Sequence, residues 1–381
     1  MSFGADRISF GSGRDGLGAD RRGLVDVVGA WVTARLIVGL GFAAAQGVAA
    51  TGGKGVRFPH LDEGLITWDA TWYDQLARAG YAGTPPSGVR FFPLFHLLGR
   101  IISWPLGGNT GLALVIVANV CALVALWLLR LVVLEQFHDE DLARRSVWLM
   151  ALFPSAGAFV FAYSESLMLL LSLALFLAMR RHRWELVALT GLLAGLCRPT
   201  AVLLCLPVAI EAARAWPRLT WNERSLRALA TAAPVIGVAS YLFYIGGQFG
   251  SWTQPIDEQR AIRKGFQDPI TRLWDAIHDT LTVSQLNAPA MAFALAFIVL
   301  IVVAVRRQPV SWSSYAAATV ALALSAPVID SLGRYGLVAF PLVVALAMVV
   351  RSERAVWATA AVSGSALCAL TVMSLLGGYI P

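Results

Sequence analysis

Charge is scarce in this chain. Only 14% of its 381 residues are Asp, Glu, Lys or Arg, where a soluble domain carries about 25%. With 57% hydrophobic residues and a mean hydropathy of +0.67, there is too little polar surface to coat a water-soluble globule. Cysteine is equally thin. Cys121, Cys197, Cys205 and Cys368 all lie in apolar stretches, and no two form a CxxC pair. They give no sign of a disulfide framework or a cysteine metal site and read as small buried apolar residues. His60, His96 and His278 make no HExxH or HxxxH pattern, so neither a metal nor another cofactor is expected. A GxxxxGKS/T phosphate loop and a dinucleotide fingerprint are also missing, which removes the usual nucleotide-binding classes. The net charge of +7 does not point to nucleic acid. The arginines are scattered between apolar runs, as in positive-inside loops, and are not gathered on one face.

What the chain has is hydrophobic length. Apolar runs fall near Leu24–Gly47, Thr110–Leu134, Ser146–Tyr163, Ser164–Met179, Trp184–Leu196, Thr200–Ala213, Leu226–Gly247, Leu286–Val305, Ser311–Val328, Gly336–Val350 and Ala355–Leu376. A crossing helix needs roughly 20 residues, so about eleven spans are expected. This is an all-α polytopic membrane protein with one transmembrane domain, residues 24–381. Residues 1–23, rich in Gly, Arg and Asp, are expected to be disordered on the cytoplasmic side. Without a small-residue cleavage site, Arg21-Arg22 reads as a positive-inside anchor and not as a twin-arginine signal.

Orientation follows from the basic loops. Arg21-Arg22, Arg144-Arg145, Arg180 to Arg183, Arg214 to Arg227, Arg306-Arg307 and Arg351 to Arg354 share one face if eleven spans alternate. That face is the cytoplasm. The chain is then a multi-pass protein of the plasma membrane with its N-terminus inside. Two long polar loops, residues 48–109 and 250–285, and a short one, Asp330 to Tyr335, lie on the extracytoplasmic face.

The first of these loops is the most informative segment. It runs from His60-Leu-Asp62-Glu63 through Trp68-Asp69-Ala-Thr-Trp72-Tyr73-Asp74 to Tyr81, then to Arg90-Phe-Phe-Pro-Leu-Phe-His96. Trp68, Trp72, Leu76 and Ala79 recur at helical spacing, which predicts an interfacial helix with one apolar face. Asp69 and Asp74 are not one turn apart and should point in different directions. The charges are either simply solvated, or one carboxylate serves as a general base at the mouth of a lipid-accessible cavity. A second block runs from Phe153-Pro154-Ser155 to Tyr163-Ser164-Glu165-Ser166. Glu165 has no opposite charge nearby in sequence. It is either a functional acid at the membrane boundary or a first-turn glutamate behind a Ser164 cap.

Arg35 lies inside the first span, where a buried guanidinium is expected to pair with an internal acid. Arg90, Arg198 and Arg334 fall near the external face. Guanidinium grips phosphate oxygens bidentately, so a lipid phosphate is one partner for them and headgroup anchoring the other reading. Asp257 to Lys264 alternates charge like a solvated helix and could also form a lid.

The blocks Trp68-Asp69-Ala-Thr-Trp-Tyr73 with Ala79-Gly-Tyr81 and Phe91-Phe92-Pro93-Leu94, then Phe153-Pro154-Ser155 to Ser166, then Gly195-Leu-Cys-Arg198-Pro-Thr200 resemble, in order, the GPI mannosyltransferase 2 (PIG-V-like) family. The resemblance covers Trp68 to Thr200 and thins to hydropathy beyond. It implies a GT-C glycosyltransferase fold and inverting transfer of mannose from a polyprenyl-phosphate carrier, with Asp69 as the catalytic base. It leaves Asp62, Glu63 and Asp74 as weaker candidates. On that reading Arg198, Arg334 and Arg90 hold the donor phosphate. Trp68, Trp72, Tyr73, Tyr163, Glu165, His60 and Glu63 contact sugar or acceptor. The partners are the polyprenyl-phosphate sugar, a glycolipid or glycan acceptor and membrane lipids. Ala70 stands where eukaryotic members often carry Ser. The Arg- and Ala-rich, Lys-poor composition points to a high-GC bacterium, where a GPI anchor is not expected, so the acceptor stays open. Transfer of another sugar such as arabinofuranose, protein O-mannosylation, a lipid-linked sugar flippase and a non-catalytic scaffold remain as alternatives.

Overall fold

The computed structural model describes residues 13–51, 57–263, 288–325 and 331–378, together with 265, 267–271, 274, 275 and 278. These residues form helices and turns, with no strand among them. Asp330, Lys264 and most of the second half of loop 250–285 lie outside the described residues.

Helix α1 (Gly13–Thr51) begins inside the stretch read from sequence as disordered. Leu24, Val28, Val32, Leu36 and Leu40 stand exposed at four-residue spacing along it, while Val27, Ala30, Ala34 and Val38 are buried. An exposed stripe of large apolar side chains suits lipid, not water. Five more helices are long and apolar enough to cross a bilayer. They are α5 (Thr110–Phe137), the run Pro199–Arg218 containing α9 (Cys205–Ala215), α10 (Trp221–Phe249), α12 (Ala288–Arg307) and α16 (Glu353–Leu375). Counting the bent pair α14 (Leu332–Val338) and α15 (Phe340–Val349) as one span makes seven. By length and composition the chain is a multi-pass helical membrane protein.

The expectation of about eleven spans is therefore met for six or seven among the described residues. The other apolar runs form helices too short to cross. α8 (Trp184–Cys197) has 14 residues and α13 (Val310–Leu324) has 15, about 21–23 Å of helix against a core of about 30 Å. The run expected over Ser146–Tyr163 stops at Ala151, where α6 (Glu140–Ala151) ends before Pro154. α7 (Glu165–Arg180) is apolar because protein surrounds it, with 13 of its 16 residues buried.

Two devices set the interior geometry. The first joins α8 and α10 backbone to backbone. A Cβ on Gly195 would strike Pro234 O and come within 2.9 Å of Gly237 Cα, and one on Gly237 would strike Leu192 O. Small residues at such a crossing let helix axes approach closely in a membrane. The second is the 83° bend between α14 and α15. Pro341, just inside α15, lacks the N–H that a continuous helix would need and crowds the carbonyl four residues back.

Around one end of this bundle lie three short helices: α2 (Pro59–Glu63), α3 (Asp69–Ala79) and α4 (Pro93–Ser103). α3 does have an apolar face, but it is Ala70, Tyr73, Leu76 and Ala77. Of the four residues expected there, Leu76 is buried, Trp68 and Trp72 are half-buried and Ala79 is exposed. The late segment forms α11 (Gln254–Arg263), which packs across residues 86–90.

Candidate active site

The site is built where helices begin and break. Asp69 is the first residue of α3 and Glu165 the first of α7, positions where the exposed N–H groups favour negative charge. Before Asp69 the chain turns through Trp68 at φ 56°, a left-handed conformation unusual for a bulky residue. The Trp68 ring is held on both sides: it stacks on His60 at 3.8 Å, and its Nε1 donates to Ser374 O at 3.2 Å. That turn directs the Asp69 carboxylate inward. Arg198 sits in extended backbone between the end of α8 and Pro199. Arg334 lies in α14, whose Gly333 carbonyl accepts from Ser155 Oγ at 2.8 Å. A backbone bond from Ala162 N to Leu65 O, 3.1 Å, fastens the first loop to the second block.

The four ionised groups form one row. Arg334 Nη1 donates to Asp69 Oδ2 at 2.6 Å, Arg334 Nε lies 3.2 Å from Glu165 Oε1, and Arg198 Nη1 lies 2.5 Å from the same oxygen. Burial differs along it. The side chains of Glu165, Arg334 and Arg198 are 1%, 6% and 13% exposed, whereas Asp69 keeps 30%. Both Glu165 oxygens and Arg334 Nε are buried without a hydrogen bond among the described residues, so Oε1 meets the two guanidiniums as ion pairs and Oε2 meets neither. Burial pushes the Asp69 carboxyl toward a higher pKa, but the Arg334 guanidinium outweighs it, and the group rests below the usual carboxylate range. Ser164 does not cap α7 as its position suggested. Its Oγ lies 2.7 Å from Tyr73 OH and accepts from Arg198 Nη1 at 3.1 Å. Tyr163 is fully buried under Arg334, ring centre 5.2 Å from the guanidinium.

A cavity of about 10 Å³ lies beside the two guanidiniums, lined by Glu165, Arg198, Thr200, Tyr315, Thr319, Arg334, Tyr335 and Val338. It is at the lower limit for a single water. Arg90 approaches from the first loop. Its backbone is pinned on both sides, by Tyr241 OH donating to Val89 O and Tyr81 OH donating to Phe91 O. Its Nε donates to Ser87 O at 3.0 Å, and its guanidinium lies over Trp72 and Phe91. It makes no carboxylate ion pair among the described residues. Ser87 Oγ in turn donates to Glu258 of α11 at 2.8 Å.

The remaining sequence candidates separate from this row. His60 Nδ1 lies 2.8 Å from Thr67 Oγ1, which donates to Glu63 Oε2 at 2.8 Å, so His60, Glu63 and Thr67 form a brace behind Trp68. Asp74 ties α3 to α5: it accepts from Thr110 Oγ1 at 2.5 Å and pairs with Arg78 at 2.8 Å. It points away from Asp69, as its spacing required. Asp62 is exposed. Arg35 does not find an acid among the described residues; it donates to Asn119 Oδ1 at 2.9 Å and to the carbonyls of Trp31 and Phe159. An amide oxygen, the carbonyl of Phe159 at the end of a helical turn and a mid-helix carbonyl of α1 together take up its donors. Sequence reasoning missed Ser331, Tyr335, Tyr315, Thr319 and the Tyr81–Tyr241 clamp. Only Ser331 and Tyr335 carried a signal, their closeness to Arg334. No group of three or more metal-ligating side chains occurs among the described residues.

No protein-family model and no curated protein matches the chain. Among solved structures it is similar to an oligosaccharyltransferase from Archaeoglobus fulgidus, tethered to an acceptor peptide containing the NVT sequon. The identity is 12% and the TM-score 0.48, over 93% of this chain and 55% of that one. The chain thus spans about half the length of that structure.

Proposed function

We propose that the chain is a GT-C-type glycosyltransferase. It moves mannose from a polyprenyl-phosphate carrier to a hydroxyl of a glycolipid or glycan on the non-cytoplasmic face, with inversion. The observation that carries this reading is the row Asp69–Arg334–Glu165–Arg198: a partly accessible carboxylate beside two buried guanidiniums. Such a set supplies a base for the acceptor and a receptor for an anionic leaving group. The blocks that resemble the PIG-V-like family contribute Asp69, Glu165 and Arg198 to this row, and that favours mannose and a lipid phosphate over the other sugars.

In the reaction Asp69 takes the hydroxyl proton, the acceptor oxygen bonds the anomeric carbon, and the bond from that carbon to the phosphate oxygen breaks, leaving its electron pair on polyprenyl phosphate. Arg198 and Arg334 face that phosphate, with Arg90 at its outer side. Once the protein opens, the unpartnered Oε2 of Glu165 accepts a sugar hydroxyl, and Trp72 and Tyr163 frame the sugar. Purified protein in lipid nanodiscs, given defined polyprenyl-phosphate sugars and glycolipid acceptors, should add one hexose with inverted anomeric configuration, read by mass and by linkage analysis. Asp69→Asn should lower the rate by about 10²–10⁴-fold. Absence of transfer from every lipid-linked donor would end this reading.

A further inference from the structure

At rest the base is occupied. Asp69 Oδ2 is held by Arg334 Nη1 at 2.6 Å, and a carboxylate so held is a weak proton acceptor. Arg334 links Asp69 to the cavity, because it bonds Asp69 and lines the cavity while Asp69 does not. It has two further partners: Nη2 donates to Ser331 Oγ at 3.2 Å, and Nε makes an ion pair with Glu165 Oε1, also at 3.2 Å, without hydrogen-bond geometry. Letting go of Asp69 would therefore leave the guanidinium in place.

We infer, on the glycosyltransferase reading above, that Arg334 is shared between base and leaving group: the donor phosphate displaces Asp69 from Arg334 and so releases the carboxylate for proton transfer only when donor is bound. Charge conservation favours this exchange. Two carboxylates and two guanidiniums make the resting row neutral, so a phosphodiester monoanion enters with one negative charge in excess. Arg90, which makes no carboxylate ion pair among the described residues, supplies a further positive charge for that excess. When Asp69 takes the acceptor's proton it becomes neutral, and the departing phosphate becomes a dianion. One negative charge has moved from Asp69 to the phosphate, and Arg334 touches the place where it starts and the place where it ends. The exchange falls on Asp69 and not on Glu165, because Asp69 retains access to solvent and acceptor while Glu165 is wholly enclosed and holds both guanidiniums.

Competition for one guanidinium makes a prediction that a fixed ion pair does not. Binding of polyprenyl phosphate to nanodisc-embedded protein, followed by tryptophan fluorescence, should be about tenfold tighter for Asp69→Asn than for the native chain. Arg334→Gln should bind more weakly, and in that background Asp69→Asn should change affinity less than about twofold. If Arg334→Gln does not fold, Arg334→Lys carries the same cycle, since a lysine cannot span the three partners. Equal tightening in both backgrounds would mean plain charge repulsion, and no tightening in either would mean a static pair; each overturns the exchange. If the native protein transfers sugar but shows no such coupling, only this inference falls. If it binds no polyprenyl phosphate at all, the transferase reading falls with it.

Discussion

Asp69 and Glu165 both begin helices and both meet Arg334, yet their surroundings give them different work. Glu165 is enclosed and compensates two cations, so its loss should be felt in folding. Glu165→Gln leaves Arg198 and Arg334 without their shared carboxylate and should cost about 3–5 kcal/mol, read as a lowered thermal midpoint in detergent. Glu165→Asp should recover part of it. Asp69→Asn should shift that midpoint far less, because its partner keeps Glu165. Acid response should come from His96. Its Nε2–H donates to Tyr81 OH, which itself donates to Phe91 O, so the ring sits neutral with a buried Nδ1. Burial, helped by Arg100, pushes its pKa down to about 4. The unfolded chain binds this proton from about pH 6.5 downward and the folded chain only near 4, so stability should fall as pH drops through that window. A His96→Gln variant should lose that slope. At this scale the sequence was informative about identity and silent about pairing. Glu165, Arg198 and Arg334 stood out as charges beside apolar runs, while only the family resemblance singles Asp69 out from the other acids of its polar loop. That Arg334 meets Asp69 across 265 positions leaves no local trace, because an ion pair between distant segments imposes no spacing.

Among the elements, the crossing of α8 and α10 is the least forgiving. Gly195 lies three residues before Arg198, so any separation of the helices there is felt at the row. Gly195→Ala should lower stability by about 1–3 kcal/mol and weaken polyprenyl phosphate binding as well. Gly29→Ala, where a Cβ would meet only Trp148 carbons at 3.6–3.7 Å, should do neither. Thermal unfolding and lipid titration of the two variants side by side would check this. Helix positions were legible to within a few residues for α5, α7, α8 and α16, because hydropathy marks where apolar runs start and stop. Hydropathy does not distinguish lipid from protein as the apolar surrounding. α7 is apolar because other helices enclose it, and this joins the stop before Pro154 and the shortness of α8 and α13 in making the expected spans outnumber the helices long enough to cross.

For the whole molecule, sidedness is the quantity to measure. α5 is a candidate span joining the end that carries α3 and α4 to the turn at His138. With the four native cysteines replaced by serine, Ala82→Cys should react with a membrane-impermeant maleimide on intact cells, and His138→Cys only after permeabilisation. The reverse pattern would place the site inside.

The cavity beside Arg198 and Arg334 admits about one water and no sugar ring. A donor cannot simply drop in; the protein must open first, and the opening then sets the pace of loading. Stopped-flow traces of donor capture should therefore rise to a plateau rate that no further increase in donor concentration exceeds. The same tightness limits side reaction: in the closed state that space holds no more than about one water, so little solvent is present to compete with the acceptor.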